Sequence, residues 1–246
     1  MSKNKLQIFI FSTIVIFWAY VSFPYEILQV KSAQSTTYAL TPNAKAYLSS
    51  YLITLLLTIC ALFIGVMVGF ALALARFSRF ELVNFIIDEF IDIIRGTPLV
   101  LQLMIFAFVI FTFLDNLYVA ILVMGLNSSA YIAEIVRSGI KSVDAGQMEA
   151  ARAMGLDHKT AMREIILPQA VKNILPALAN EFIALFKETS VVGFISVMDI
   201  TMQSKSLQAV LYNPKPIIFT GLVYYVSVKL FSLGVRKLEK RLGRHD

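Results

Sequence analysis

Apolar residues in this chain come in long runs separated by short charged stretches. Six runs can be placed: Leu6 to Pro24, Tyr51 to Ala75, Pro98 to Leu114, Leu117 to about Val136, Ile174 to about Val197, and Pro216 to Gly234. A helix crosses a bilayer with roughly 20 apolar residues, so the pattern predicts an all-α polytopic membrane protein. The charges between the runs orient it. Lys3 and Lys5 precede the first run, Arg76 and Arg79 follow the second, and Arg137 and Lys141 follow the fourth. Arg236, Lys237, Lys240, Arg241 and Arg244 follow the sixth. Basic loops stay on the cytoplasmic side, and six crossings with both termini inside satisfy every cluster. The loop 139–173 is then cytoplasmic, and 25–50 and 198–215 are external.

Two stretches depart from plain runs. Lys3 and Lys5 followed by an apolar segment also have the form of a signal peptide. The run is longer than a usual signal core, and no small-x-small cleavage site follows Pro24, which favours a retained anchor helix. Between Phe80 and Ile94, polar Glu81, Asn84, Asp88 and Asp92 recur at helical spacing among Phe and Ile, which predicts an amphipathic helix. Arg95-Gly96-Thr97-Pro98 should end it. Gly96 suits a left-handed helix end, Arg95 the negative end of the helix dipole, and Thr97 a cap with Pro98 in the next first turn.

Composition narrows the class. The chain is 58% hydrophobic and 15% charged, with 22 Lys+Arg against 16 Asp+Glu; soluble domains carry about 25% charged residues. In such a chain the basic excess is a topology signal and does not point to nucleic acid. One cysteine, Cys60, allows no intrachain disulfide, and two distant histidines, His158 and His245, form no metal-ligand cluster. Neither a G-x-x-x-x-G-K-[ST] nor a G-x-G-x-x-G loop is present, so any ATP must be used by a partner. No cofactor is expected on this chain, and no catalytic residue.

The polar stretch Glu149 to Pro168, EAARAMGLDHKTAMREIILP, has no reason to sit in lipid. Asp144 with Gln147 three residues on is a helix-start signal. Met148 to Met154 reads as a short helix ended by Gly155. Asp157 caps a second helix through Ile166, which Pro168 stops. Ala150 and Ala151 would let a partner surface approach closely, with Glu149, Arg152, Lys159, Arg163 and Glu164 as rim contacts. A solvated connecting loop accounts for the same charges.

The spacing Glu149-Ala150-Ala151, Gly155, Ile165, Leu167-Pro168 resembles the EAA signature of ATP-binding-cassette importer permeases, without departure in spacing. Arg95-Gly96-Thr97-Pro98-Leu99 with Gln102 is similar to the RGTPL-x-x-Q segment of the polar amino acid permeases. So is Leu126 to Glu134 to their LNSGAYxAE segment, with Ser129 where Gly is usual. Ile166 to Ala170 and Lys187 to Ser190 fit the same group. The resemblance covers about 51–235. It implies a five-helix type I importer core at 51–235, one extra N-terminal helix with an external stretch at 1–50, and a basic cytoplasmic tail at 236–246. It also implies a multi-pass protein of the bacterial cell membrane. A second permease subunit, identical or related, would form the path. A separate ATPase dimer, holding ATP and Mg, would dock at residues 146–168, with Glu149, Ala150, Ala151, Arg152, Gly155 and Leu156 as the coupling residues. An external binding protein would deliver an amino acid.

Polar residues inside the membrane are the remaining candidates, since a charge at the bilayer centre costs about 2.5–3.5 kcal/mol even on permissive scales. Asn127, Tyr131 and Glu134 share one helix face with Ser128 beside it. Glu181 and Glu188 share another, as do Asn180 and Lys187. Asn127, Ser128, Tyr131, Glu134, Glu181 and Gln102 are expected along the substrate path. Arg95, Thr97, Pro98, Lys187 and Glu188 are expected as gating or structural residues, with Lys187 available to neutralise Glu134 or Glu188. Bonds between helices explain the same polarity. Two other functions fit parts of the pattern. An ion-coupled secondary transporter would use Glu134, Glu181 and Glu188 as cation sites, and a membrane scaffold would use the polar loop alone.

Overall fold

A computed structural model describes residues 3–22, 42–76 and 80–243; Pro24, Arg79, Arg244 and residues 25–41 of the expected external stretch lie outside them. In order, the chain forms α1 (Lys3–Ser22), α2 (Pro42–Ala75), α3 (Glu81–Gly96) and α4 (Leu99–Ile105), the last continued by a π turn (Phe106–Ile110). Then come α5 (Asn116–Lys141), α6 (Ala145–Ala153), α7 (His158–Ala161), a second π turn (Met162–Ile166) and α8 (Leu167–Glu188). A 3-10 turn (Thr189–Ile195), α9 (Ile200–Leu211) and α10 (Lys215–Leu242) complete it.

Helix α5 is the centre of the bundle. It packs along α2 on one side and against α8 and α3 on others, which buries Val119, Val123, Met124, Ala130 and Ala133. In lipid, helices associate by close packing of small residues rather than by the hydrophobic effect. Gly65 and Gly69, spaced G-x-x-x-G on α2, supply that here. A Cβ added to Gly65 would lie 2.9 Å from Ser128 Cβ, and one on Gly69 2.8 Å from Ile132 Cβ. Gly125 answers from α5, where a Cβ would meet Ile64 Cβ at 2.7 Å. This G-x-x-x-G spacing lies within the apolar run Tyr51 to Ala75. Gly69→Val is therefore expected to destabilise the bundle by about 1–3 kcal/mol through overpacking. Gly96→Ala should be near neutral, since nothing lies within 4 Å of its added Cβ. Thermal unfolding of the two variants in detergent checks the contrast.

Three described helices are long and apolar enough to cross a membrane: Asn43–Ala75, Asn116–Lys141 and Lys215–Leu242. Taken together, Glu81–Gly96 and Leu99–Ile110, bent by 105°, are also long and apolar enough, as a broken span or a re-entrant loop. The run Pro98 to Leu114 thus supplies only the second limb of that bent pair. Helix α8 has 22 residues, about 33 Å at 1.5 Å per residue, but Asn180, Glu181, Lys187 and Glu188 make it too polar to cross as a lipid-facing span. It packs against α5 and α10, with Glu181 and Glu188 half-buried and Asn180 and Lys187 exposed. Helix α1 lies along α10, where the Trp18 and Tyr225 rings sit 6.0 Å apart.

Hydroxyl contacts tie the end of the bundle that carries α9. Tyr47 of α2 bonds Thr220 of α10, and Tyr51 bonds Ser227 at 2.9 Å. Thr54 Oγ1 accepts from the Ile200 backbone N–H at 3.2 Å. Buried Asp199 caps α9 by accepting from the N–H groups of Thr201 and Met202 at 3.0 and 2.9 Å.

The amphipathic helix expected at 80–94 is present as α3, but its polar stripe is divided between an inner and an outer side. Asn84 and Asp88 turn inward beside buried Ile87 and Ile91. Leu82, Phe85, Ile86 and Ile93 are exposed with Glu81, Glu89 and Asp92. The inward turn of Asp88 is set by an ion pair with Arg76, a partner that helical periodicity cannot reveal.

Candidate functional site

Between α5 and α8 an open cavity of about 470 Å³ is lined by Tyr131, Glu134 and Ser138 of α5 and by Asn173, Ala177 and Glu181 of α8. Both sets are spaced three or four residues apart, so each is one helix face. Arg95 from the end of α3 completes the lining, with its guanidinium 5.4 Å from the centre of the Tyr131 ring. At that distance the ring face attracts the cation. The cavity is therefore polar on both walls and carries three charged groups, Arg95, Glu134 and Glu181.

Glu134 is held on both oxygens. Oε1 accepts from Arg76 Nη1 at 2.5 Å, and Oε2 from Arg137 Nη2 at 2.6 Å. Arg76 also pairs with Asp88, so the row Asp88, Arg76, Glu134, Arg137 joins α3, the end of α2 and α5. The Glu134 side chain is 18% exposed. Charge-assisted, two-sided pairing is the arrangement that makes such a group tolerable away from water. Of the two carboxylates that Lys187 could neutralise, Glu134 or Glu188, Glu134 is paired with the two arginines instead. Arg137 sits one turn from Glu134 and was legible as an i, i+3 pair. Arg76, 58 residues away in sequence, was not.

The six residues expected along the path separate into two groups. Tyr131, Glu134 and Glu181 line the cavity. Ser128 lies fully buried behind it and donates its hydroxyl to Glu181 Oε1 at 2.8 Å. Asn127 and Gln102 do not line it. Asn127 Nδ2 donates to Gln102 Oε1 at 3.0 Å, and both are buried. Gln102 Nε2 in turn donates to Ile94 O and Thr97 Oγ1, both at 2.8 Å. These bonds clasp the bend between α3 and α4 onto α5 and so hold Arg95 beside the cavity. Thr97 does not cap the second limb: its hydroxyl donates back to Ile93 O at 2.8 Å, closing the end of α3, and Pro98 is itself the N-cap of α4. Gly96 is not left-handed; Gly155 is the one glycine with positive φ among the described residues. Lys187 is exposed and Glu188 half-buried, and neither lines the cavity.

Below α5 the polar loop folds as two short helices. Asp144 caps α6, its Oδ1 accepting from Gly146 N at 2.6 Å. At the other end Gly155 has φ +90. Its N–H donates to Arg152 O and that of Leu156 to Ala151 O, both at 3.1 Å. This double closure is a Schellman end, which needs the left-handed residue that glycine supplies. Asp157 caps α7 by accepting from Lys159 N at 3.1 Å. A hydrogen bond from the Thr160 side chain holds the exposed Asp157 carboxyl below its usual range. This cap is thus complete above the usual carboxylate pKa and is lost only as pH falls through the lowered one.

Glu149, Ala150, Arg152 and Gly155 are exposed and Leu156 is half-buried. Ala151 is not available to a partner: it is fully buried, as α6 packs on α7 and the π turn of its own chain. Pro168 does not stop the second helix. Leu167 N donates to Met162 O across the π turn, and this one-residue slip carries α7 into α8, with Pro168 in the first turn of α8.

Comparison with known proteins places this geometry. Residues 61–244 match the profile of the binding-protein-dependent transport system inner membrane component. The arginine transport system permease protein ArtQ of Bacillus subtilis is 38% identical over 210 residues, covering 83% of this chain and 96% of that protein. The putative glutamine transport system permease protein GlnP of Rickettsia bellii is 37% identical, covering 78% and 90%. A solved amino acid ABC transporter with histidines is 40% identical with a TM-score of 0.78, covering 80% of this chain and 94% of that one. The MetNI methionine ABC transporter, at 18% identity, TM-score 0.70 and coverage of 83% and 99%, shares the fold. The chain belongs to the family of binding-protein-dependent transport system inner membrane components, as a multi-pass permease subunit.

Proposed function

We propose that this chain is the permease subunit of an ATP-driven importer of polar amino acids. Two such subunits form the path, a separate ATPase dimer engages residues 146–168 from the cytoplasm, and a binding protein delivers substrate from outside. Both termini lie in the cytoplasm, where the positive-inside rule puts the basic clusters. The observation that carries the reading is the unbroken run from α7 through the π turn into α8. The face of α6 opposite its exposed Glu149, Ala150 and Arg152, the one carrying buried Ala151, is packed on that run, and α8 forms one wall of the cavity with Asn173 and Glu181. A push on α6 therefore moves a cavity wall without an intervening flexible joint. ATP binding that draws the two α6 helices together opens the path outward, and hydrolysis resets it inward. The names of the relatives, arginine and glutamine permeases among them, support the substrate class.

An ion-coupled mechanism fits less well, because Glu134 is committed to two arginines and is not free to bind and release a cation. Proteoliposomes holding the chain with its ATPase and binding protein decide the matter. Uptake of labelled amino acid should persist when ion gradients are collapsed and stop when ATP is withheld. Uptake driven by a gradient without ATP would overturn the proposal.

A further inference from the structure

An apolar groove of about 350 Å³ runs between α8 and α10 and shares no residue with the cavity on α5. Ala179 and Phe182 of α8 and Leu230, Phe231, Gly234 and Leu238 of α10 line it, and no polar side chain does. Gly234 opens it: the residue is exposed, and an added Cβ would meet nothing within 4 Å. Aromatic rings close one end, where Phe231 packs on Phe182 at 5.0 Å and on Phe186 at 5.2 Å between ring centres. From Phe231 the groove follows α10 to Leu238, about two turns or 10 Å. Its other end leads to cations. Lys237 and Arg241 each stand seven residues beyond a lining residue, Leu230 and Gly234, and Lys172 stands seven before Ala179. Seven residues are close to two full turns, so each cation lies on or beside the groove side of its helix. Lys237 and Arg241 are exposed and make no ion pair among the described residues. Glu239, the one acid of α10, is five residues from Gly234, about 140° round the helix.

We propose that this groove seats an acyl chain of an anionic phospholipid of the cytoplasmic leaflet, with the lipid phosphate held by Arg241 and Lys237 of α10 and met by Lys172 from α8. The positive-inside rule puts this end of α10 at the cytoplasmic surface, where a basic pocket between helices suits an anionic head group. Topology by itself asks only for basic residues near the end of a span. It does not ask for cations aligned with an apolar groove that is closed on the far side. The guanidinium of Arg241 can give two parallel hydrogen bonds to phosphate oxygens. A zwitterionic head group would set its own cation against the same side chains and lose part of that attraction. A second copy of the chain, meeting this face by two-fold symmetry, would bring the same cations against their equivalents. The charge therefore fits a lipid and opposes a subunit contact.

Native mass spectrometry of the full chain in detergent tests this, by titration with dioleoylphosphatidylglycerol or dioleoylphosphatidylcholine, which differ only in head group. Phosphatidylglycerol should bind about tenfold or more tighter. Lys237→Gln with Arg241→Gln should abolish that difference. Arg236→Gln with Lys240→Gln, equal in charge but on other faces of α10, should leave it in place. Gly234→Leu fills the groove and should weaken both lipids by about tenfold or more. Leucine favours a helix over glycine, so helix content and melting should not fall in that variant. Equal loss from the two double variants would reduce the effect to diffuse surface attraction and overturn the proposal. So would phosphatidylcholine binding as tightly as phosphatidylglycerol, or unchanged lipid binding in Gly234→Leu. A dimer of the unaltered chain that Gly234→Leu splits into monomers would make the groove a subunit contact and overturn it as well.

Discussion

Gly155→Val should cut ATP-driven uptake about tenfold or more, while Gly155→Asn keeps most of it. The reason is backbone conformation. Gly155 sits at φ +90, and an added Cβ would meet nothing within 4 Å, so side-chain bulk by itself has room. The left-handed region costs a side-chain-bearing residue roughly 1–2 kcal/mol, more for a β-branched one, and least for Asn. Valine therefore escapes by giving up the Schellman bonds from Gly155 N and Leu156 N, and α6 loses its fixed angle to α7. Uptake should rank Gly, Asn, Ala, Val, with helix content and melting of the membrane bundle unchanged across the series. Equal loss in Asn and Val would show that the turn is not what matters at this position.

The second large effect is on stability. Glu134→Gln should destabilise the bundle by about 1–2 kcal/mol, below the ~3 kcal/mol scale for a fully buried ion pair because the Arg137 side chain is 38% exposed. The loss follows from what is left behind. Arg76 would keep Asp88, but Arg137 would keep no partner in the row. Adding Arg137→Gln to Glu134→Gln should recover part of the loss by removing the stranded charge, a coupling that unfolding in nanodiscs measures as a double-mutant cycle. Additive losses would show that Glu134 and Arg137 do not act as a unit.

The polar loop was the most legible part of the site, because its rules are local. Asp144, Gly155 and Asp157 each act on backbone groups within three residues, so their identity and spacing are enough to place two capped helices. The same locality misled at Pro168 and Gly96. A proline usually ends a helix by lacking an N–H, yet the π turn before it shifts the bonding by one residue and absorbs the defect. A glycine after a charged helix suggests a left-handed end, yet Gly96 stays helical, and the closing bond comes from Thr97. The small size of Ala150 and Ala151 was plain, but only packing shows that Ala151 serves its own chain and Ala150 the outer face.

By itself, the sequence determined the helical membrane class, the positions of the apolar runs, the capped polar loop and the faces of α5 and α8 that carry polar groups. Each follows from periodicity, composition or a bond within one turn. Tertiary structure decided which of those polar groups remain free. Asn127 and Gln102 are spent on the bend between α3 and α4, Ser128 on Glu181, and Glu134 on Arg76 and Arg137. Tyr131, Arg95 and Glu181 are left toward the cavity. The physical reason is that a partner across the bundle costs nothing in sequence proximity. Asp88 and Arg76 meet because α3 folds back against the bundle, and Arg76 meets Glu134 because Gly65, Gly69 and Gly125 let α2 and α5 come close.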